Sequence, residues 1–509
     1  MIPRPSGLEQ ITGLATLFVL LLPIGAAKLG AATYHVDLAG SDEADGTAPN
    51  RAWRTLARAS KAVLRPGDKL LFKSGSRFTG QLVIEAKGTP TRPIQIGKYG
   101  GKAFPVLAGE GKTNSTVEVH NPAHLILEDL EITNKLPDGK RRDNLYGVKL
   151  VANAGGEFEG IILRRLHVHH VSGGWDRPGG AGIGCNAMGD NTNTGTKRSR
   201  FVGLRVEDCY VHNVSFYGMF VSGWENRFRD TRWYPSRNVA VRNNFLHDIG
   251  GDAIVIIATE NSAMEHNEAY RTSRGQQNGG QTPSGGIWPH SSDGTIVRFN
   301  KVADIRGNMD CEPYDIDISC HNTIVENNLS ENNSGGFLLL CSSAEATGPT
   351  RDGIVRNNLS IGDGFESGRL ITAVGLVSDI VIENNVFIGT TARTVNVLGG
   401  WESSEYPWCK KITLRRNVFF TEGEFTFDPG GMREIKTDGN VYQGRFVKPP
   451  DDPNRVQVEL QRTDLMPANL RKLKKPELMK AGFKVFDAGK CGLTKQSSWL
   501  AERDKAAGR

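Results

Sequence analysis

The sequence predicts an all-β solenoid, a parallel β-helix, and three observations carry that reading. One phrase recurs through the middle of the chain: VAVRNNFLHD, TIVRFNKVAD, TIVENNLSEN, GIVRNNLSIG, IVIENNVFIG and ITLRRNVFFT, with MEHNEAY as a shorter copy. Aligned, the copies place Asn244, Asn267, Asn300, Asn328, Asn358, Asn385 and Asn417 in one column, 23 to 33 residues apart, which is the period of a solenoid. Each copy alternates β-branched and polar residues with no crossover helix between copies, so the units are short strands stacked coil on coil.

The asparagine column has a structural task. At a tight turn, Asn tolerates a left-handed backbone, and its amide can bond the asparagine of the next coil. Earlier copies, ILRRLHVHHV and RVEDCYVHNV, place Leu166 and Cys209 in that column instead.

Residues 1–32 read as a secretory signal. A short segment with one arginine precedes the apolar run ITGLATLFVLLLPIGAA, and small residues follow it. Cleavage after Ala27 or Ala32 fits, and the interrupted run falls short of a membrane span. A secreted or periplasmic protein is expected, with no membrane association once the signal is removed. Residues 33–120 form an N-terminal cap and first coils, where Trp53, Leu56, Ala59 and Val63 lie on one face of a capping helix. The β-helix proper occupies 121–445. Residues 446–509, with the basic stretch RKLKKPELMKAG, form a C-terminal tail expected to fold back on the solenoid or cover its end.

The chain has 509 residues, 60 glycines and a net charge of +6. Its charges are interspersed rather than gathered in a stripe, which argues against nucleic acid as a partner. The seven cysteines make an odd count, and none has zinc-ligand spacing. A monomer is expected.

The opening HVDLAGSDEADGT…AWRTLARA…PGDKLLFKSG, the ENN phrases and DIDISCHNTIVENNLSENNSGGF together resemble secreted right-handed parallel β-helix proteins of the pectin-lyase-like superfamily. The resemblance implies a right-handed solenoid and a carbohydrate-active protein. It does not choose among hydrolases, lyases and epimerases, because function resides in the site and not in the fold.

The chemistry is expected on the strand that follows each asparagine turn. In YDIDISC, Tyr314, Ile316, Ile318 and Cys320 have inward parity, so Asp315, Asp317 and Ser319 point outward. Two carboxylates side by side couple, and one keeps its proton, as two-carboxylate glycoside hydrolysis requires. Asp315 and Asp317 are the expected catalytic pair, with His290 and Glu260 in support. Trp224, Trp288 and Trp401 are expected to stack on sugar rings, with Asp252 and Lys149 as further substrate contacts. Cys320 and Cys341 share inward parity and are expected to stack. No cofactor is required by this chemistry, although paired carboxylates could hold Ca²⁺.

Two local likenesses remain partial. Asp252 in GGDAIVI resembles the GDD segment of polygalacturonases, but Ala253 replaces the second aspartate. EPYD, Glu312 to Asp315, resembles the DPHD motif of alginate C5-epimerases, with Glu312 and Tyr314 in place of Asp and His. A secreted glycoside hydrolase acting on a polysaccharide or oligosaccharide is therefore the leading expectation. A lyase or epimerase on a uronate polymer, or a non-catalytic carbohydrate-binding solenoid, are the alternatives.

Overall fold

Each turn of the chain contributes one strand to each of three parallel ladders, and stacking the turns makes a right-handed parallel β-helix. The computed structural model describes residues 30–188, 197–223, 233–344 and 348–506. Most of the expected signal segment, and Trp224, lie outside the described residues.

The first ladder has fourteen strands, from Thr33–Val36 to Lys436–Asp438, and contains the IVE and IVR segments of the repeat. The second follows each asparagine and includes Glu131–Asn134, His167–Val171, Tyr210–Val214, Leu329–Glu331 and Leu359–Ile361. The third includes Leu145–Ala152, Ile254–Ile257, Ile287–His290, Tyr314–Ile316, Leu338–Ser342 and Arg369–Gly375. The long strand Val418–Thr426 joins the second and third ladders by pairing with both.

The asparagines sit at the corner between the first and second ladders and are completely buried. Each side-chain amide donates to the Oδ1 of the next coil's asparagine, from Asn244–Asn267 at 2.9 Å to Asn417–Asn440 at 3.0 Å. The same oxygens accept backbone N–H groups, as from Asn328 N to Asn358 at 2.9 Å. The ladder thus runs one coil further than the repeat suggests and ends on Asp452, which accepts from Asn440 Nδ2 at 2.8 Å. Cys209 holds the preceding place, its backbone N–H donating to Asn244. One expectation is corrected. The left-handed residue is not the ladder asparagine but its predecessor, as at Asn243, Asn327 and Asn357, with φ of 57°, 53° and 56°. The corner needs a sharp turn one residue early so that the next amide points inward.

Inside, an aromatic column of Tyr314, Phe337, Phe387, Phe419 and Tyr442 runs at 5.2–5.8 Å between ring centres, edge-to-face up to Phe387 and stacked beyond it. At the N-terminal end, the capping helix is a single turn, Leu56–Ala59, capped by the Thr55 hydroxyl. Trp53, Leu56 and Ala59 are buried beneath it, but Val63 is 79% exposed because the helix stops before reaching it.

The tail runs back along the second ladder, opposite to the direction in which the coils ascend. Leu460, Leu465, Leu470 and Leu478 cover Leu359, Val386 and Val418. Further along, Lys484 bonds Asn384, Gly492 bonds Phe299, Thr494 bonds Asn243, and the Trp499 indole bonds Asp208 O at 2.7 Å.

Replacing Asn358 with Ala removes two bonds to Asn328, one to Val325 O and one to Asn385. Buried groups left without partners cost about 1–3 kcal/mol each. Asn358→Ala should lower stability by roughly 2–4 kcal/mol in a denaturant titration. An unchanged midpoint would mean the ladder contributes little to stability.

Candidate active site

The outward face of the third ladder builds the site. In-register pairing places Val255, Trp288, Asp315, Leu339 and Thr372 in one column. Ile257, His290, Asp317, Cys341 and Val374 form the next. Neighbours in a column lie one strand apart, about 4.8 Å.

These columns floor a cleft of about 310 Å³, also walled by Arg177, Asp252, Pro283, Asp310, Trp401 and Tyr406. A second cavity of about 570 Å³ shares Pro283, Asp310 and Trp401 with it and adds Glu312, Arg369 and Thr372. The two form a continuous depression with Asp310 and Trp401 on the common wall.

Five carboxyl groups face this depression in unequal settings. Asp252 is fully buried. Its Oδ1 accepts from Gly285 N at 2.6 Å and the Trp288 indole at 2.9 Å, while Oδ2 has no hydrogen-bond partner. Asp315 is 4% exposed and its Oδ1 is likewise without a partner. Glu312 accepts from the Thr372 hydroxyl at 2.9 Å through one oxygen, and its other oxygen has none. Asp317 is half-buried and accepts from Ile318 N at 2.8 Å. Asp310 reaches solvent at the mouth.

Burial disfavours the charged form of a carboxyl, and like charges nearby add to the effect. Burial pushes Asp252 up to about 6 despite the Arg177 guanidinium. It pushes Asp317 up to about 7 and raises Glu312. Asp315 rises furthest above the carboxylate range, through burial and then Glu312, Asp310 and Asp317. Asp310 also moves upward, through the protein packed around it and then Glu312. Within the two cavities, Arg177 and Arg369 are the cationic side chains among the described residues. Two cations against five carboxyls leave several of these groups protonated near neutrality.

The structure brings Asp315, Asp317, Asp252, Trp288 and Trp401 together. Trp401 is 42% exposed, with the Arg369 guanidinium 5.4 Å from its ring centre. His290 stands next to Asp317 in the ladder. Burial and then Arg177 push its pKa down to about 3, so the ring is neutral at pH 7.

Several expectations are corrected. Asp315 lies not in an open groove but almost wholly buried in the lining of the cleft. The strand ends at Ile316, so the alternation stops there. Ile318 turns outward to join Leu339, Cys341 and Val374, and Ser319 is buried at a left-handed turn with φ of 57°. Cys320 enters the core while Cys341 opens on the cleft beside Asp317, so the two do not stack. No disulfide forms among the described residues. Glu260 belongs to a separate short sheet and pairs with Arg237 at 2.8 Å, away from the cleft. Lys149 shares the face, but register places it five strands from Asp315, about 24 Å. Its amine lies 5.2 Å from the Tyr146 ring centre.

Sequence reasoning missed Asp310, Arg177, Arg369 and Tyr406 as site residues, and gave Glu312 no role. Arg177 and Asp310 come from loops, where no period applies. Asp310 and Cys311 are consecutive left-handed residues, with φ of 55° and 72°. Such strain at non-glycine positions costs roughly 1–3 kcal/mol each, and here it turns Asp310 to the mouth of the cleft.

An acid whose folded pKa lies above its unfolded value holds its proton more tightly when native. Asp252 therefore costs nothing below its ordinary 3.8, an increasing amount as pH rises to about 6, and a constant amount above. Asp252→Asn keeps the Oδ1 acceptor and removes the charge. Its stability relative to wild type should rise between pH 4 and pH 7 by on the order of 2 kcal/mol. Denaturant titrations at both pH values test this, and parallel profiles would refute it.

No family model matches the chain. A lacto-N-biosidase of Bifidobacterium longum subsp. longum is 23% identical over 515 residues, covering 84% of this chain and 31% of that protein. The chain thus spans less than a third of that relative's length. An alpha-1,3-galactosidase A of Akkermansia muciniphila is 26% identical over 113 residues, 21% of this chain and 19% of that one. Among solved structures, a GH136 lacto-N-biosidase from Eubacterium ramulus superposes with a TM-score of 0.63 at 22% identity, covering 80% of this chain and 68% of its own. XylC in complex with xylose superposes with a TM-score of 0.52 at 14% identity, covering 83% and 86%. These likenesses agree with the parallel β-helix.

Proposed function

We propose that this chain is an exported glycoside hydrolase acting on an oligosaccharide, with Asp310 and Asp317 as its working carboxyl pair. The observation that carries the reading is the cleft itself. Two solvent-reaching carboxyls with raised pKa values stand over the buried Asp252 and Asp315, each with one oxygen that lacks a hydrogen-bond partner, beside an exposed indole. The similarity to lacto-N-biosidases over most of the chain supports the same class of reaction.

Glycoside hydrolysis needs one carboxyl that keeps its proton for the leaving oxygen. A second, ionised carboxyl attacks the anomeric carbon or activates water. Asp310 and Asp317 meet that need because ionising one raises the other. Asp315 lines the cleft with only 4% of its surface exposed and takes a supporting role in this reading. Held protonated by burial and by the carboxyls of Glu312, Asp310 and Asp317, it limits how many charges the floor carries. Asp252 fixes the Trp288 indole, and Trp401 offers its face to an apolar sugar surface. His290 stays neutral beside Asp317. The function requires no metal step. Ca²⁺, if it binds, has the cleft carboxyls as its natural ligands.

The rival of a lyase or epimerase on a uronate polymer needs cations to neutralise the uronate, and among the described residues this cleft offers two guanidinium groups, both faced by carboxyls.

Asp310→Asn and Asp317→Asn should each lower kcat at least about 10³-fold while oligosaccharide binding persists. Asp315→Asn, which mimics the protonated acid, should retain activity within about tenfold. Reducing-end release from a panel of neutral and acetamido-sugar oligosaccharides measures this, with ultraviolet absorbance reporting any unsaturated product. If Asp315→Asn abolishes turnover and Asp310→Asn spares it, Asp315 and Asp317 are the pair. An unsaturated product would refute hydrolysis.

A further inference from the structure

On the second ladder, away from the cleft, Glu131, His167 and His169 bring their ligating atoms within 4.8 Å of one another. Glu131 and His167 are register partners on adjacent coils, and His169 follows two residues along the same strand face. His169 Nε2 lies 3.1 Å from Glu131 Oε1, and His167 Nδ1 lies 3.9 Å from Glu131 Oε2. All three side chains are 17–29% exposed, so the group is accessible without being freely solvated.

The surrounding hydrogen bonds dictate which nitrogens hold lone pairs. Asn213 Oδ1 lies 2.6 Å from His212 Nδ1 and accepts its proton, leaving His212 Nε2 as an acceptor. That nitrogen is 2.9 Å from His167 Nε2, which therefore donates to it. His167 Nδ1 then carries a lone pair facing the Glu131 carboxylate. Two acceptors held toward each other repel, and a cation between them removes the conflict. His169 starts from the other tautomer: Nε2–H donates to Glu131 Oε1 while Nδ1 accepts from His170 Nδ1, and a metal at Nε2 displaces that proton to Nδ1, which then donates to His170. Histidines that ligate metals characteristically have the other ring nitrogen fixed by such a partner. Arg77 lies near Glu131 and Lys135 near His170, and these are the cations with which a metal must compete.

We propose that Glu131, His167 Nδ1 and His169 Nε2 bind a divalent transition-metal ion of the zinc class. Two imidazoles and one carboxylate suit a borderline cation, and the set leaves a fourth position for water. Zinc at about 2.0–2.1 Å from each ligand separates tetrahedral ligand atoms by about 3.3 Å. The two separations to the carboxylate, 3.1 and 3.9 Å, bracket that value. The ion would tie two neighbouring coils together beside the tail, with Trp499 packed against His167 at 5.8 Å. This site stands independently of the glycosidase reading.

The test uses the full chain without a histidine tag, stripped with chelator, titrated with Zn²⁺ by calorimetry and with Co²⁺ by visible absorbance. One ion per chain is expected, with a tetrahedral cobalt spectrum and a rise in Tm of about 1–3 °C at saturation. Glu131→Gln and His169→Gln should each weaken binding at least tenfold. His212→Gln, which acts through His167, should weaken it about 10–100-fold. His120→Gln, on another ladder, should leave it unchanged. Each variant's melt in chelator must match wild type, so that loss of binding is not loss of fold. Absence of saturable binding, or binding untouched by both Glu131→Gln and His169→Gln, overturns the proposal.

Discussion

The register between coils is the constraint on which everything else rests, and the buried asparagine ladder fixes it. Each asparagine amide donates to the next coil's asparagine and to a carbonyl of the preceding coil, while its Oδ1 accepts the backbone N–H and side-chain amide of the preceding coil's asparagine. A slip of one residue would break this pattern in every coil it touched and exchange inward for outward side chains. The third ladder's columns exist only because that slip is excluded. Trp288 lies beside Asp315, and His290 beside Asp317, by the same register that aligns Asn300 with Asn328.

Fixed columns allow a concentration of acid that a flexible surface would disperse. Five carboxyls around one depression, three with an oxygen lacking any hydrogen-bond partner, are unfavourable for folding. The solenoid tolerates them because its stability is distributed along the asparagine ladder and the aromatic column, coil by coil. The same rigidity prevents the carboxyls from relaxing apart, so their repulsion is expressed as raised pKa values. Proton-holding acids near neutrality are therefore a product of scaffold stiffness.

The fold was readable because a solenoid writes its geometry into a period. The asparagine column, the strand alternation and the inward Tyr314 and Ile316 all follow from repeats that any window of the sequence contains. The site was only half readable for the same reason. Asp315, Asp317, Asp252, Trp288 and Trp401 lie on or beside periodic strands and could be found by parity or repeated position. Arg177 and Asp310 come from loops between strands, where parity has no meaning. Parity also failed within the motif itself. Asp317 and Ile318 both face outward because the strand ends at Ile316, and this separated Cys320 from Cys341. Glu260 was misplaced because the coils acquire an additional short sheet there, which shifts the corner.

The path of the tail explains why the third ladder carries the cleft. The second ladder presents Leu329, Leu359, Val386 and Val418 in one outward column, an apolar row that water would penalise. Tail leucines cover that row, and Leu359, Val386 and Val418 are fully buried beneath them. Toward the N-terminal coils the column becomes Lys301, Glu268, Phe245 and Tyr210, and the tail answers with Arg503 on Glu268 and Trp499 on Tyr210. Next in the column come His167, also against the Trp499 ring, and Glu131, which bonds His169. The tail's polarity matching fixes which face is closed, and leaves the carboxyl-lined face of the third ladder open to a substrate.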